Sequence, residues 1–237
     1  MFHRDYHDPM QSRLFSHPAA IILREIHDRL ASGARAQGAN PMPPTDQLVR
    51  SMLGGRTRDE VSLQAFWRLK RRYRDWSRLV AADYHDLLSL IGEVTFPEDK
   101  AANLQSALSR LDLARGDAAL DFLSDWPVES ALSWLESLPG VGRKTSAAVL
   151  NFSTLGKRAL VIDSHHQRVV KRLGLVRWKA GVEETYDVLM ASAPQEWKAA
   201  DYKRYHVLIK AHGQKRCHPL APDCRGCPLA DLCPALT

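Results

Sequence analysis

Apolar residues recur along the chain at intervals of three and four, the period of an amphipathic helix, and no convincing run alternates in the manner of a strand. Ile22, Leu23, Ile26 and Leu30 put one apolar stripe on a first helix. GARAQGANPMPP (33–44) is rich in glycine and proline and predicts a loop. A helix is predicted from about Thr45, carrying Leu48, Met52 and Leu53 and stopping at Gly54–Gly55. A longer one covers 57–73 with Val61, Ala65 and Leu69 inward, and shorter ones fall near 76–81, 83–91, 98–112 and 116–124. Pro127 suits a helix start, and that segment runs to Ser137. The next helix is expected to bury Ala148, Phe152 and Leu155, and further helices fit 164–173, 181–192 and 198–211. Trp67, Trp76, Trp126 and Trp134 read as core. The fold class is all-α.

Composition adds a direction. The 237 residues are 45% hydrophobic and 25% charged, as in ordinary globular proteins, and fit one large domain or two small ones. A net charge of +6 favours a polyanionic partner such as nucleic acid. The start, MFHRDYHDPMQSRLF, has no apolar core of a signal peptide, and no run of about 18 apolar residues predicts a membrane span. All four cysteines lie in the last 21 residues, which points to a local metal site in a reducing compartment rather than a disulfide framework.

The candidate chemistry begins at LPGVGRKT (138–145). A helix, a Gly-x-Gly turn and a second helix make a helix–hairpin–helix, whose exposed amides and helix N-terminus form an anion site suited to a DNA phosphate. Gly140, Val141, Gly142, Arg143 and Thr145 are its candidate DNA-binding residues. The competing reading is a tight interhelical turn with no ligand. Lys144 stands in the first turn of the second helix beside Arg143. The helix dipole and the neighbouring cation both disfavour its charged form, which makes it a candidate nucleophile for a Schiff base; otherwise it is a surface lysine on phosphate. Nineteen residues on, in LVIDSHHQRVVKRL (160–173), Asp163 is either a helix N-cap or a carboxylate acting with Lys144. His165 and His166 read as helix-surface residues, and RLKRRYR (68–74) as a solvated helix face or a basic patch that steers DNA.

Cys217, Cys224, Cys227 and Cys233 have the spacing C-x6-C-x2-C-x5-C. Structural zinc sites generally use two close pairs, whereas four thiolates in one short loop also suit a 4Fe-4S cluster. LPGVGRKT, VIDSHHQRV, LIKAHGQKRC and the cysteine tail together resemble the endonuclease III family of base-excision DNA glycosylases, over nearly the whole chain from about Leu48. The resemblance implies two helical domains. One is a six-helix barrel with the hairpin, about 37–156; the other is a cluster domain from 1–36 and 157–237, with double-stranded DNA in the cleft and the damaged nucleotide flipped out. It further implies that Lys144 attacks C1′ and cleaves the strand by β-elimination. Asp163 assists, and the four cysteines hold a 4Fe-4S cluster of structural role. A monomeric, cytoplasmic, nucleoid-associated enzyme is expected.

The chain also departs from that family. Where relatives have Ser-x-Gln-x-Thr-Asp, with the Gln filling the space of the flipped base, GGRTRD (54–59) places Arg56 and keeps Asp59. Arg56 either fills the gap and bonds the orphaned base or contacts phosphate. Arg50 replaces the catalytic Glu of adenine-mismatch relatives, and Lys rather than Ser stands at 144, which argues against adenine removal. VTFPEDKAANL (94–104) resembles a Gly-Leu-Tyr-x-x-Lys-Ala segment with Thr95 and Pro97 substituted, leaving the excised base open to another lesion. HPLAPD, between the first two cysteines, lacks the basic residues relatives use on DNA. The alternatives are a monofunctional glycosylase for an unusual or mismatched base and a non-catalytic DNA-binding module.

Overall fold

The computed structural model describes residues 19–32 and 40–236. The expectation about the chain's start and most of the predicted 33–44 loop lie outside them. Eleven α-helices and three short 3-10 turns make up the described secondary structure, and an isolated parallel bridge joins Met42 to Ser153. No helix among the described residues is long and apolar enough to cross a membrane. The chain divides into two compact units, Ala39–Ala159 and the combination of Met1–Gly38 with Leu160–Thr237.

In the first unit α2 (Pro44–Leu53) lies at the centre. It packs against α3 (Asp59–Tyr73), α6 (Pro97–Arg115) and α8 (Arg143–Phe152). The short helices α4 (Ser77–Val80) and α5 (Tyr84–Ile91) cover α6, and α7 (Val128–Glu136) lies against α8. Local chemistry sets several starts. Pro44 and Pro97 open their helices, where the missing amide removes no helical bond. Asp83 caps α5 by accepting from the amides of His85 (2.9 Å) and Asp86 (3.0 Å). The core of this unit includes Leu48, Leu53, Phe66, Leu69, Leu104 and Leu132, all fully buried. Asp46 is drawn inside with them because Lys70 (2.7 Å) and the Trp76 indole (2.6 Å) both donate to its carboxylate.

Three expectations are corrected here. The helix predicted over 116–124 is only a 3-10 turn at Asp121–Asp125, because α6 runs on to Arg115 and is closed by left-handed Gly116. The helix carrying Ala148 stops at Phe152. Phe152 and Leu155 are half-buried, since the chain leaves helical geometry at Ser153 to meet Met42. Trp67 is 49% exposed, lying edge-on to Phe66 at the surface, whereas Trp76 is core and Trp126 and Trp134 are half-buried around Phe122. The basic run is largely a solvated helix face, as expected: Arg71, Arg72 and Arg74 are exposed, although Arg68 reaches the Leu90 carbonyl and Glu93, Lys70 holds Asp46, and Arg72 pairs with Asp86.

The second unit is built on α9 (Ser164–Arg172) and α11 (Ala199–Lys215), which pack together. α1 (Ala19–Ala31) and α10 (Val182–Ser192) complete it. Buried Leu23 and Ile26 of α1 form the inner edge of the stripe expected there, with Ile22 and Leu30 half-buried. The cysteine tail follows α11.

Candidate functional site

Two glycines flank Val141 in the hairpin, and they serve different ends. Gly140 has φ +73°, and a Cβ there would stand 2.8 Å from the Asn103 side chain, so only glycine fits. Gly142 is extended (φ −112°, ψ −179°), a conformation any residue adopts, and a Cβ there would meet nothing in the protein. Its bare backbone therefore leaves open space beside the amides that begin α8, where a ligand can approach. Val141 is buried, its amide bonded to the Leu138 carbonyl (3.1 Å), and Thr145 is buried behind it.

Arg143 does not extend from this end as a phosphate ligand would. Its Nε donates to Glu136 at 2.5 Å, and the Ser146 hydroxyl donates to the same carboxylate at 2.8 Å. Glu136, at the end of α7, thereby ties the two hairpin helices together. Its charge also offsets the cation expected to act on Lys144.

A second lysine lies within electrostatic reach of Lys144. Lys100, in the first turn of α6, donates to the carbonyls of Leu53 and Gly55 and to the Thr57 hydroxyl, each at 2.7 Å. Burial and then the charge of Lys144 push Lys100 down to about 8. Lys100 clamps the turn that presents Arg56. Arg56 is exposed and left-handed (φ 55°), its guanidinium 5.8 Å from the Phe96 ring, and Phe96 is left-handed too (φ 56°). Non-glycine residues in this region cost on the order of 1–3 kcal/mol each and persist only where their surroundings fix them. Here Thr95 links the two, its hydroxyl donating to the Arg56 carbonyl (2.9 Å) and its amide to the Thr57 hydroxyl (3.0 Å). An open cavity of about 470 Å³ is lined by Gly55, Arg56, Phe96, Lys100, Asn103 and Gly140, among others. Of the predicted residues, Arg56 and the hairpin's Gly140 thus share one concave surface in this unit.

Asp163, in the other unit, is the N-cap of α9, accepting from the His166 amide at 2.8 Å. Burial pushes its carboxyl up. His206, the His166 amide, the His166 ring and Lys210 outweigh that, so it lies below the ordinary aspartate range. His166 is not a surface residue: it is fully buried, and burial pushes it down to about 3, leaving a neutral ring. Its Nδ1 lies 3.0 Å and that of His206 2.7 Å from the Val161 carbonyl, which two N–H donors can share. His165 instead stands against Arg168 (3.2 Å).

All four cysteines are free and half-buried, and they line one cavity of about 70 Å³ with Val169, Leu173, His212 and Leu229. Arg172 donates to Cys217 Sγ (3.2 Å) and to the carbonyls of His218 and Pro219 (2.7 Å each). Arg168 donates to the Cys217 carbonyl (2.8 Å). Among the described residues no three metal-ligating side chains converge on a single-ion site.

Sequence reasoning passed over Lys100, Asn103, Glu136 and His206. A signal for Lys100 was present, because it too is a lysine in the first turn of a helix, where the dipole opposes its charge.

Comparison with known proteins gives a consistent result. The family described as HhH-GPD superfamily base excision DNA repair protein matches residues 49–195. Endonuclease III of Bacillus subtilis is 30% identical over 190 residues, 80% of each chain. Endonuclease III of Thermotoga maritima is 31% identical over 190 residues, covering 80% of this chain and 82% of that one. Among solved structures, a trapped endonuclease III–DNA covalent intermediate, an estranged-adenine complex, superposes with a TM-score of 0.73 at 27% identity, covering 91% of this chain and 96% of that one.

Proposed function

The chain belongs to the HhH-GPD superfamily of base excision DNA repair proteins, among the relatives of endonuclease III, and we propose that it is a DNA glycosylase with AP lyase activity whose nucleophile is Lys144. In this reading the hairpin amides around Gly142 grip a phosphate of double-stranded DNA and the damaged nucleotide is flipped out. The neutral Lys144 amine attacks C1′, forming the N–C1′ bond as the glycosidic bond breaks and its electron pair leaves with the base. Opening of the sugar ring gives a Schiff base. Loss of a C2′ proton then expels the 3′ phosphate by β-elimination. Asp163 supplies a carboxylate, held ionised by its surroundings, that assists proton transfer and stabilises positive charge developing on the sugar.

The observation that carries this reading is a lysine in the first turn of the hairpin's second helix, in a chain similar to one trapped as a covalent intermediate with DNA. The cysteine donor set fits a 4Fe-4S cluster: four thiols line one largely apolar cavity, with His212 and Asp223 also at its wall and a guanidinium beside it. A cubane spreads its thiolates over four irons, so they need not converge on one ion. Cys217, Cys224, Cys227 and Cys233 would hold the group, which with every iron ligated by protein supplies structure rather than a substrate-binding position. The enzyme acts as a monomer on nucleoid DNA in the cytoplasm. Arg56, Thr95 and Pro97 depart from the family pattern and leave the excised base open to a lesion other than the oxidised pyrimidines.

Borohydride reduction over an abasic duplex should yield a covalent protein–DNA adduct that Lys144→Ala abolishes. Base release without any adduct or strand cleavage would instead identify a monofunctional glycosylase.

A further inference from the structure

The Asp163 carboxylate can assist at a reacting sugar only if its direction is fixed, yet residues 160–162, which lead into it, lie in neither helix nor strand. We propose that His206 of α11, acting with His166 of α9, is a positioning residue for Asp163: the two imidazoles hold the Val161 carbonyl between them and so fix the backbone that presents the carboxylate. The proposal rests on the reading of Asp163 as the assisting carboxylate.

Three observations carry it. First, Nδ1 of His206 lies 2.7 Å and Nδ1 of His166 3.0 Å from the Val161 carbonyl oxygen, so both lone pairs of one acceptor are used. A carbonyl only accepts, so each ring carries a proton on Nδ1. Val161 and both histidines are buried, which keeps water from competing for these bonds. Second, His166 grips the stretch at two points. Its amide donates to the Asp163 carboxylate at 2.8 Å, and its ring holds the carbonyl two residues earlier. The carboxylate is thereby tied to a backbone point that α9 does not fix alone, because His206 comes from α11. Third, α11 is itself registered on the start of α9. Tyr205 packs edge-on against the His166 ring, with 5.4 Å between centroids. About two turns further along α11, a Cβ on Gly213 would stand 2.9 Å from the His165 Cβ, and Arg168 donates to the Gly213 carbonyl at 2.7 Å. His206 thus reaches Val161 from a helix that cannot slide against α9. Asp163 is only half-buried, at the end of a run (159–162) that is fully buried, so the imidazoles hold it from the core side.

The test is a double-mutant cycle in single-turnover cleavage of an abasic duplex, with the Tm and DNA affinity of each protein: wild type, His206→Leu, Asp163→Asn, the double variant and His206→Asn. His206→Leu should lower the rate about tenfold while DNA affinity stays within about twofold, because misdirecting a catalytic group costs rate rather than binding. His206→Asn, whose amide nitrogen falls near the place of Nδ1, should recover most of that loss. In the Asp163→Asn background His206→Leu should change the rate by less than about twofold, since residues that act through one another are not additive. An equal loss in both backgrounds, or no loss in either, overturns the proposal. Hydrogen exchange gives a second readout: in His206→Leu the His166 amide, bonded to Asp163, should exchange about tenfold faster relative to the Val169 amide within α9. Acceleration shared equally by both amides would leave only a loss of stability and overturn the proposal. If His206→Leu does not fold, His206→Gln, whose longer side chain carries its amide past the carbonyl, takes its place with the same expected and overturning results. Cleavage by Asp163→Asn at the wild-type rate defeats the parent reading instead, by leaving the carboxylate no role to be positioned for.

Discussion

Gly140 and Gly142 are separated by one residue, and the structure gives them opposite tolerances. Gly140→Ala forces a side chain into the left-handed region and onto Asn103, so a loss of about 2 kcal/mol or more is expected in denaturant unfolding. Gly142→Ala meets no protein atom and keeps an allowed backbone, so stability should change by less than about 1 kcal/mol. DNA affinity in that variant should nevertheless fall several-fold, because the new methyl occupies the approach to the α8 amides. Unchanged binding by Gly142→Ala would remove these amides from the DNA contact.

At the scale of one element, α9 is anchored at its start by groups that titrate in different pH windows. His166 has its folded value depressed to about 3, so the unfolded chain takes up a proton below the ordinary histidine value of about 6.5 while the folded one does not. Stability should therefore fall as pH drops from about 6.5 towards 3, with a slope of about 1.4 kcal/mol per pH unit for this proton. Asp163, also depressed, stabilises above its unfolded value, and its contribution is lost only as pH falls below about 4 through the folded value. Urea unfolding at pH 7.5, 6 and 5 isolates the histidine window. His166→Asn, which keeps a donor near the Val161 carbonyl without the titrating ring, should reduce the slope, the remainder belonging to His212, which burial also pushes down.

For the whole molecule, a net charge of +6 and a phosphate grip predict salt-sensitive DNA binding. Each phosphate contact contributes a slope of about −0.9 in log affinity against log salt, so three contacts give roughly a 40-fold loss between 50 and 200 mM salt. Titration of a fluorescent duplex across that range measures it, and a slope near zero would sink the electrostatic grip.

The sequence by itself determined what depends on near neighbours. Helical period located α2, α3, α9 and α11 to within a few residues; Pro and Gly marked several of their ends, and the spacing of four cysteines named a shared site. The hairpin was legible for the same reason, because its turn and the start of α8 are one continuous stretch. Tertiary structure decided what each side chain faces, and that depends on residues brought from far along the chain. Arg143 is claimed by Glu136, Lys100 by a turn more than forty residues away, and His166 by a core completed from α11, while Trp67 is left outside. Charge compensation and burial are properties of such assembled surroundings, so no local pattern could assign the pairing of Arg143 or the neutrality of His166.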